Sequence, residues 1–339
     1  AVPGLEPTGW PGPVMYFPSS TVQELQRLAP NASVSFVDGS DPAAAAAAAR
    51  AADVAIVFAT QWSSESIDVA MKLDGNQDAL IEAVAAANPH TAVVLETNSG
   101  VAMPWVARVA AIVEAWYPGT KGGAAIANVL SGRVNPSGHL PVTFYAAESQ
   151  LPRAVRPGSN SEMDEFTLPY SEGAAVGYKW IDRNNLRPLF PFGHGLSYTS
   201  FDYGPVTATP GPNGALHVQF TVRNSGGRAG MAVGEVYASS ATGGWEAPKR
   251  LVAFAKVELA PGAAQTVGVD VDPRLLATFD EDAHAWRIAP GNYALMLGAS
   301  SADLRSNTTV ALPAVTLPSN WRPGQEAAAP APQRGERGR

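Results

Sequence analysis

The stretch DVAIVFATQWSSESIDVAMKLDGNQDALIEAVAAANPHTAVVLE, Asp53–Glu96, decides the fold. It opens on the apolar run Asp53–Ala59, which has the length and composition of a strand buried in a parallel sheet. After polar, loop-like sequence, Asn76–Ala87 places Leu80, Ile81, Val84 and Ala87 on one helical face and stops at Asn88-Pro89. Thr91–Glu96 is apolar again, so the stretch reads strand, loop, helix, strand. The same rhythm continues outward on both sides. Val22–Ala29 and Pro42–Ala52 are predicted helices, the second an alanine-rich surface helix begun by an Asp41-Pro42 cap. Ala111–Trp116 is a further predicted strand, and Gly122–Leu130 a helix stopped near Gly132. Alternation of this kind builds an α/β sandwich, a mainly parallel sheet with flanking helices. Ligands of such sheets meet the loops at the carboxyl ends of the strands, where Thr60–Asp74 and Tyr117–Lys121 stand.

The pattern changes twice further on. Residues 146–200 lack periodicity and are rich in Pro, Gly and aromatics, which predicts a linker wrapped on the surface and ending in an ordered aromatic turn. From about Phe201, short alternating runs follow at regular spacing: His217–Arg223, Met231–Ala238, Leu251–Leu259, Gln265–Val271 and Asn292–Ala299. Turn signals separate them at Asn224–Gly227, Pro261-Gly262 and Pro290-Gly291. This predicts an all-β sandwich of fibronectin type III kind over 201–317, after an α/β domain over 1–145, with 318–339 as a disordered tail.

Composition narrows the function classes. The chain has 339 residues, 46% hydrophobic and 16% charged, enough for two domains with cores of their own. A net charge of −7 gives no basic footprint for nucleic acid or an anionic membrane. No apolar run is long enough to cross a bilayer. With no cysteine, disulfides, thiolate catalysis and cysteine-ligated zinc are excluded. The lack of cysteine suits cytosol and periplasm alike; periplasm or secretion is the expectation carried forward.

Glu65 stands out as a candidate for chemistry. It lies in the polar loop after the first strand, beside Trp62, Ser63, Ser64 and Asp68. A carboxyl group next to an aromatic ring has its pKa raised by desolvation, as a general acid near neutral pH requires. Composition alone allows the plainer reading of a solvated loop glutamate. Trp62 and Trp116 lie at strand ends, where indole faces stack on sugar rings or simply pack in the core. Glu96 and Glu114 lie in or after core strands and read as buried structural acids. His90, His139, His217 and His284 have no ligand-like spacing, and Trp245, in a Gly-Gly-Trp hairpin, is expected exposed.

Three phrases in order, QWSSESID at 61–68, NPSGHLPVTF at 135–144 and LFPFGHGLSY at 189–198, make the chain resemble the C-terminal portion of family 3 glycoside hydrolases. In family 3 β-glucosidases a Trp-x-x-Glu-Gly-x-Asp stretch carries the acid/base; here it reads Trp62-Ser63-Ser64-Glu65-Ser66-Ile67-Asp68. Leu73, then Gly75-Asn76-Gln77-Asp78-Ala79-Leu80, is similar to the family's Leu-Pro-Gly-Asn-Gln-Asp-Ala-Leu. Ser66 stands for the family's glycine and Asp74 for its proline. Trp116-Tyr117-Pro118-Gly119, Gly122-Gly123 and Tyr170-Ser171-Glu172-Gly173 match as well. The resemblance covers roughly residues 10–315, gives Lys121 no catalytic role and makes His194 a packing residue.

It implies a retaining exo-acting β-glucosidase in which Glu65 is the acid/base, with Trp62, Asp68 and Trp116 binding substrate. Glycoside cleavage takes two carboxylates. The family's nucleophile is an aspartate on an N-terminal (β/α)₈ barrel, and nothing here reads as that barrel, so the second carboxylate is expected from another polypeptide. The chain opens in Pro/Gly-rich sequence without Met, as expected of a processed or nicked enzyme whose halves stay associated. The partners implied are that barrel chain, a β-glucoside oligosaccharide and a second copy in a homodimer, with no nucleic acid or membrane. No metal or organic cofactor is implied. The rival readings are a β-xylosidase or broad exo-β-glycosidase of the same family, and a non-catalytic carbohydrate-binding or scaffolding module.

Overall fold

A computed structural model describes residues 19–63, 69–153 and 169–323. The described residues fall into two compact units. One comprises the chain up to Pro136 with Thr143–Pro169 and Arg187–Phe190. The other comprises Ser137–Val142, Tyr170–Leu186 and the chain from Pro191.

The first unit is built on three parallel strands, β1 (Ala55–Thr60), β2 (Thr91–Glu96) and β3 (Ala111–Glu114), in that order. Val57 pairs with Val93 and Val93 with Ile112, so β-branched residues meet across the sheet where both faces are covered. The helices are α1 (Thr21–Leu28), α2 (Pro42–Arg50), α3 (Gln77–Ala87) and α4 (Gly122–Leu130). Asp41 begins α2 by accepting from Ala43 N at 2.8 Å and Ala44 N at 3.3 Å. The alanine run then turns Ala45 and Ala49 inward, and Asn88, just past α3, donates to Ala49 O and Ala52 O. Val93, Val94, Leu95, Ile81 and Trp105 are fully buried. The two glycines opening α4 answer to proximity: Gly123 N donates to Ser19 Oγ at 2.8 Å, and a Cβ there would lie 2.9 Å from the Ser20 backbone. Phe144 and Phe190 are joined by an antiparallel bridge, Phe144 N to Phe190 O at 2.9 Å, with their rings in edge contact.

The sheet differs from the sequence reading at one end. Ala111–Trp116 was the expected strand, but β3 stops at Glu114 because Trp116 takes a left-handed backbone, φ 54°. That conformation turns the chain out of the sheet at its carboxyl end.

The second unit starts with α5 (Tyr178–Arg183) and continues as β4 (Phe201–Pro210), β5 (Leu216–Asn224), β6 (Gly230–Ser240), β7 (Arg250–Leu259), β8 (Ala264–Val271), β9 (Thr278–Asp280), β10 (Ala285–Ile288), β11 (Gly291–Ser300), β12 (Asp303–Leu312) and β13 (Val315–Pro318). Sheets β4-β5-β8 and β12-β11-β6-β7 are antiparallel, and a small third sheet runs β13-β10-β9. Leu216, Val218, Phe220 and Val222 alternate inward along β5, against Val236 and Ala238 of β6 and Leu295 and Leu297 of β11. An α/β layer with a parallel sheet, followed by an all-β sandwich, is the architecture expected from the sequence.

In this unit Leu140 N donates to His194 O at 2.9 Å and Gly193 N to Leu140 O at 2.9 Å. Two of the three diagnostic phrases are therefore paired with each other, the backbone of His194 supplying one of the acceptors. Trp245, expected exposed, is half-buried: Arg250 lies over its ring at 4.4 Å and Tyr293 packs at 5.9 Å. The hairpin folds back because the guanidinium and the indole attract and cover each other.

Candidate functional site

The carboxyl ends of β1 and β3 carry the candidate site. β1 leaves the sheet at Thr60, whose N–H donates to Gln77 Oε1 at 2.7 Å and whose carbonyl accepts from Gln77 Nε2 at 2.9 Å. Gln77 opens α3, so a single amide bonds both backbone groups of the last strand residue. The chain then runs Gln61, Trp62, Ser63. Gln61 is buried and donates through Nε2 to Ala70 O at 2.8 Å and Lys72 O at 3.1 Å. Trp62 N donates to Asp74 Oδ2 at 2.7 Å, while the residue as a whole is 64% exposed. Ser63 N donates to Tyr117 Oη at 2.9 Å, and the same hydroxyl donates to Gln61 O at 2.7 Å.

The returning side is held as firmly. Met71 N donates to Glu148 Oε1 at 2.8 Å, and its carbonyl accepts from Ala102 N at 2.9 Å. Leu73 is buried, and Gly75 adopts φ 58°, a left-handed turn that suits glycine before α3 begins. Asp78, in the first turn of α3, accepts the indole N–H of buried Trp105 at 2.8 Å. The phrase GNQDAL thus supplies a turn, a strand clamp and an indole acceptor within a few residues. Asp74, standing where a proline was expected from the resemblance, provides the acceptor for Trp62.

At the end of β3, Glu114 accepts the Trp116 N–H at 2.8 Å, which stabilises the left-handed turn. Thr97 Oγ1 stands within donating distance of both Glu114 carboxyl oxygens, at 3.2–3.3 Å, and of Ser99 O at 2.8 Å. Burial pushes the Glu114 carboxyl up to about 7, against the lowering effect of those hydrogen bonds. Glu96, in β2, is also raised by burial. Trp116 is half-buried and meets Phe144 edge-on at 5.9 Å.

Of the residues expected at the site, Glu65 and Asp68 lie outside the described residues. Trp62 and Trp116 stand at the carboxyl ends of β1 and β3, Trp62 open to solvent and Trp116 packed on one edge. The sequence reading missed Tyr117, Gln77 and Asp74 as the residues that shape this end of the sheet. Tyr117 follows the last predicted strand directly, and an aromatic hydroxyl at a strand's carboxyl end was the available signal. Among the described residues, no group of three or more His, Asp or Glu side chains is placed to hold a metal ion. No helix there is long and apolar enough to cross a membrane.

The family described as "Glycosyl hydrolase family 3 C-terminal domain" matches residues 6–198, and a "Fibronectin type III-like domain" matches residues 232–301. The chain is 40% identical over 279 residues to a "Beta-glucosidase" of Rhizobium radiobacter, covering 78% of this chain and 33% of that protein. To "Beta-glucosidase B" of Emericella nidulans it is 39% identical over 290 residues, covering 81% of this chain and 34% of that one. Among solved structures it resembles DesR, a beta-glucosidase from Streptomyces venezuelae in complex with D-glucose, with a TM-score of 0.76 and 46% identity. That match covers 80% of this chain and 35% of DesR. The chain spans about a third of the length of the curated relatives it matches.

Proposed function

Because the chain belongs to the glycosyl hydrolase family 3 C-terminal domain family, we propose that it is the C-terminal part of a retaining, exo-acting β-glucosidase. Such an enzyme removes terminal non-reducing β-D-glucosyl residues. Glu65 protonates the leaving glycosidic oxygen and then takes a proton from the incoming water. An aspartate on an N-terminal barrel, carried by another polypeptide, attacks the anomeric carbon and forms the glycosyl-enzyme. In a retaining pair the two carboxyl groups lie about 5–5.5 Å apart, so the barrel would seat its aspartate against the carboxyl ends of β1–β3. Trp62 and Trp116 border the sugar, and Asp68 binds substrate from the same loop as Glu65.

The observation that carries this reading is the pair of anchored feet, Gln61–Ser63 and Ala70–Asp74, on either side of the acid-bearing segment at the carboxyl end of β1. Proton transfer requires a carboxylate held in place, and anchored residues on both sides of its segment support that reading. Glu65→Ala in the full-length enzyme is expected to lower turnover of cellobiose about 10²–10⁴-fold. Aryl glucosides with good leaving groups lose less, and azide restores part of their turnover. Unchanged cellobiose hydrolysis would refute the assignment. Tight sugar binding by the 339-residue chain alone would favour the non-catalytic module. Faster xyloside than glucoside cleavage would move the substrate to β-xylosides. We place the enzyme in the periplasm or outside the cell, which fractionation of the source cells tests.

A further inference from the structure

We infer that Tyr117 is a positioning residue that fixes the indole of Trp62 as a stacking platform for the sugar ring. The inference rests on the reading above that Trp62 meets substrate. Past Thr60 the chain has left the sheet, and the ladder bond from Gln61 N to Glu96 O, at 3.3 Å, is the last one. A peptide at such a place ordinarily gives its amides to water and moves with them. Here side chains from two other segments take over. Tyr117 Oη accepts the Ser63 N–H at 2.9 Å and donates to the Gln61 carbonyl at 2.7 Å, bridging the two sides of Trp62. Asp74 takes the Trp62 N–H itself at 2.7 Å.

The Gln61 carbonyl and the Trp62 and Ser63 N–H groups are thus bonded while Trp62 as a residue stays 64% exposed. A ring whose backbone is immobilised and whose apolar face stays in water suits the C–H face of a pyranose, which covers that area with little loss of conformational entropy. The phenolic hydroxyl is required because it donates and accepts at once; phenylalanine does neither. Tyr117 is itself presented by the left-handed turn at Trp116 that Glu114 holds, so its reach to Ser63 depends on the end of β3.

The test uses the full-length enzyme with Trp62→Ala, Tyr117→Phe, the double variant and Asp74→Ala, each assayed for KM, kcat and thermal unfolding. Tyr117→Phe is expected to raise KM for cellobiose about tenfold with kcat held within about twofold, as loss of binding shared equally by the ground and transition states does. The double variant matches Trp62→Ala, since both changes act through one indole. Asp74→Ala, which frees the same peptide without touching Tyr117, raises KM in the same sense. If Trp62→Ala leaves KM unchanged, the reading of Trp62 as a sugar contact fails. If Trp62→Ala raises KM while Tyr117→Phe does not, or their effects add, the positioning role is overturned. A fall in kcat at constant KM in Tyr117→Phe overturns it as well.

Discussion

Two glycines, Gly75 before α3 and Gly193 in the phrase 189–198, are required for different reasons, and their alanine variants separate those reasons. At Gly75 the backbone sits at φ 58° with nothing within 4 Å of where a Cβ would stand. Gly75→Ala therefore costs the left-handed conformation alone, about 1 kcal/mol in a urea unfolding experiment. At Gly193 the backbone sits at φ 81° and an added Cβ would fall on the carboxylate of buried Glu235. There the strain and the clash act together, and Gly193→Ala is expected to cost about 2–4 kcal/mol. Equal losses at the two sites would show that space at Gly193 is irrelevant.

At the scale of elements, the core of the first unit predicts its own sensitivity. Ile81 on α3 is fully buried, so Ile81→Ala should lose about 2–5 kcal/mol of stability, read from the denaturant midpoint. The sequence made that helix plain because one face is apolar at helical spacing and α3 has a covered side. It made β5, β7, β8 and β11 plain for a similar reason, alternation along strands whose inner faces reach the core, and β6 as an apolar run buried almost throughout. Strands β4 and β12 left a weaker trace, and the cause is their composition, since the edge strands β7 and β8 were legible. β4 contains Gly204 and Pro205, with a register shift between Tyr203 and Val206, and β12 buries few residues among polar ones. At the candidate site the aromatic residues could be named from sequence, but the clamps could not. Gln77, Asp74 and Tyr117 act through long-range bonds to backbone atoms, which leave no periodic trace. Conversely, Glu246 shows what a partly buried acid becomes when cations reach it. Burial raises its pKa, but hydrogen bonds from Arg250 and Lys179 outweigh that and hold it at about 2.

For the whole molecule, two buried acids, one in each unit, make stability fall as pH rises, while burial lowers the pKa of His139 and His194 and so works in the opposite sense. Burial raises Glu114 to about 7 and Glu235 to about 7, the latter against a hydrogen bond from Tyr237 Oη at 2.6 Å. Unfolded glutamate titrates near about 4.3. Between that value and 7 these two carboxyls bind more protons in the folded protein than in the unfolded one. The stability these groups add is thus complete below the unfolded value and is lost as pH rises through 7. Between pH 4.5 and 7.5, Glu114→Gln and Glu235→Gln should each remove a downward contribution from the urea midpoint, so that each variant's midpoint falls less with rising pH than the wild type's. A wild-type slope untouched by either variant would rule out these carboxyls as its source.

The bridge between Phe144 and Phe190 carries a consequence for how such a chain changes over time. Because two residues far apart in sequence are hydrogen-bonded neighbours, the stretch between them departs from one point and returns to it. Lengthening a segment closed at its base costs little, about 0.6 kcal/mol for each doubling if it is flexible. The stretch is not free to be exchanged whole, because Glu148 within it holds Met71 N at the site, and Tyr178, Lys179 and Asp182 bond to Leu251 N, Glu246 and Lys249. Insertions or deletions placed between these held residues leave the register of everything before Phe144 and after Phe190 where it was, and lineages can diverge there while the strand ends at the site keep their geometry.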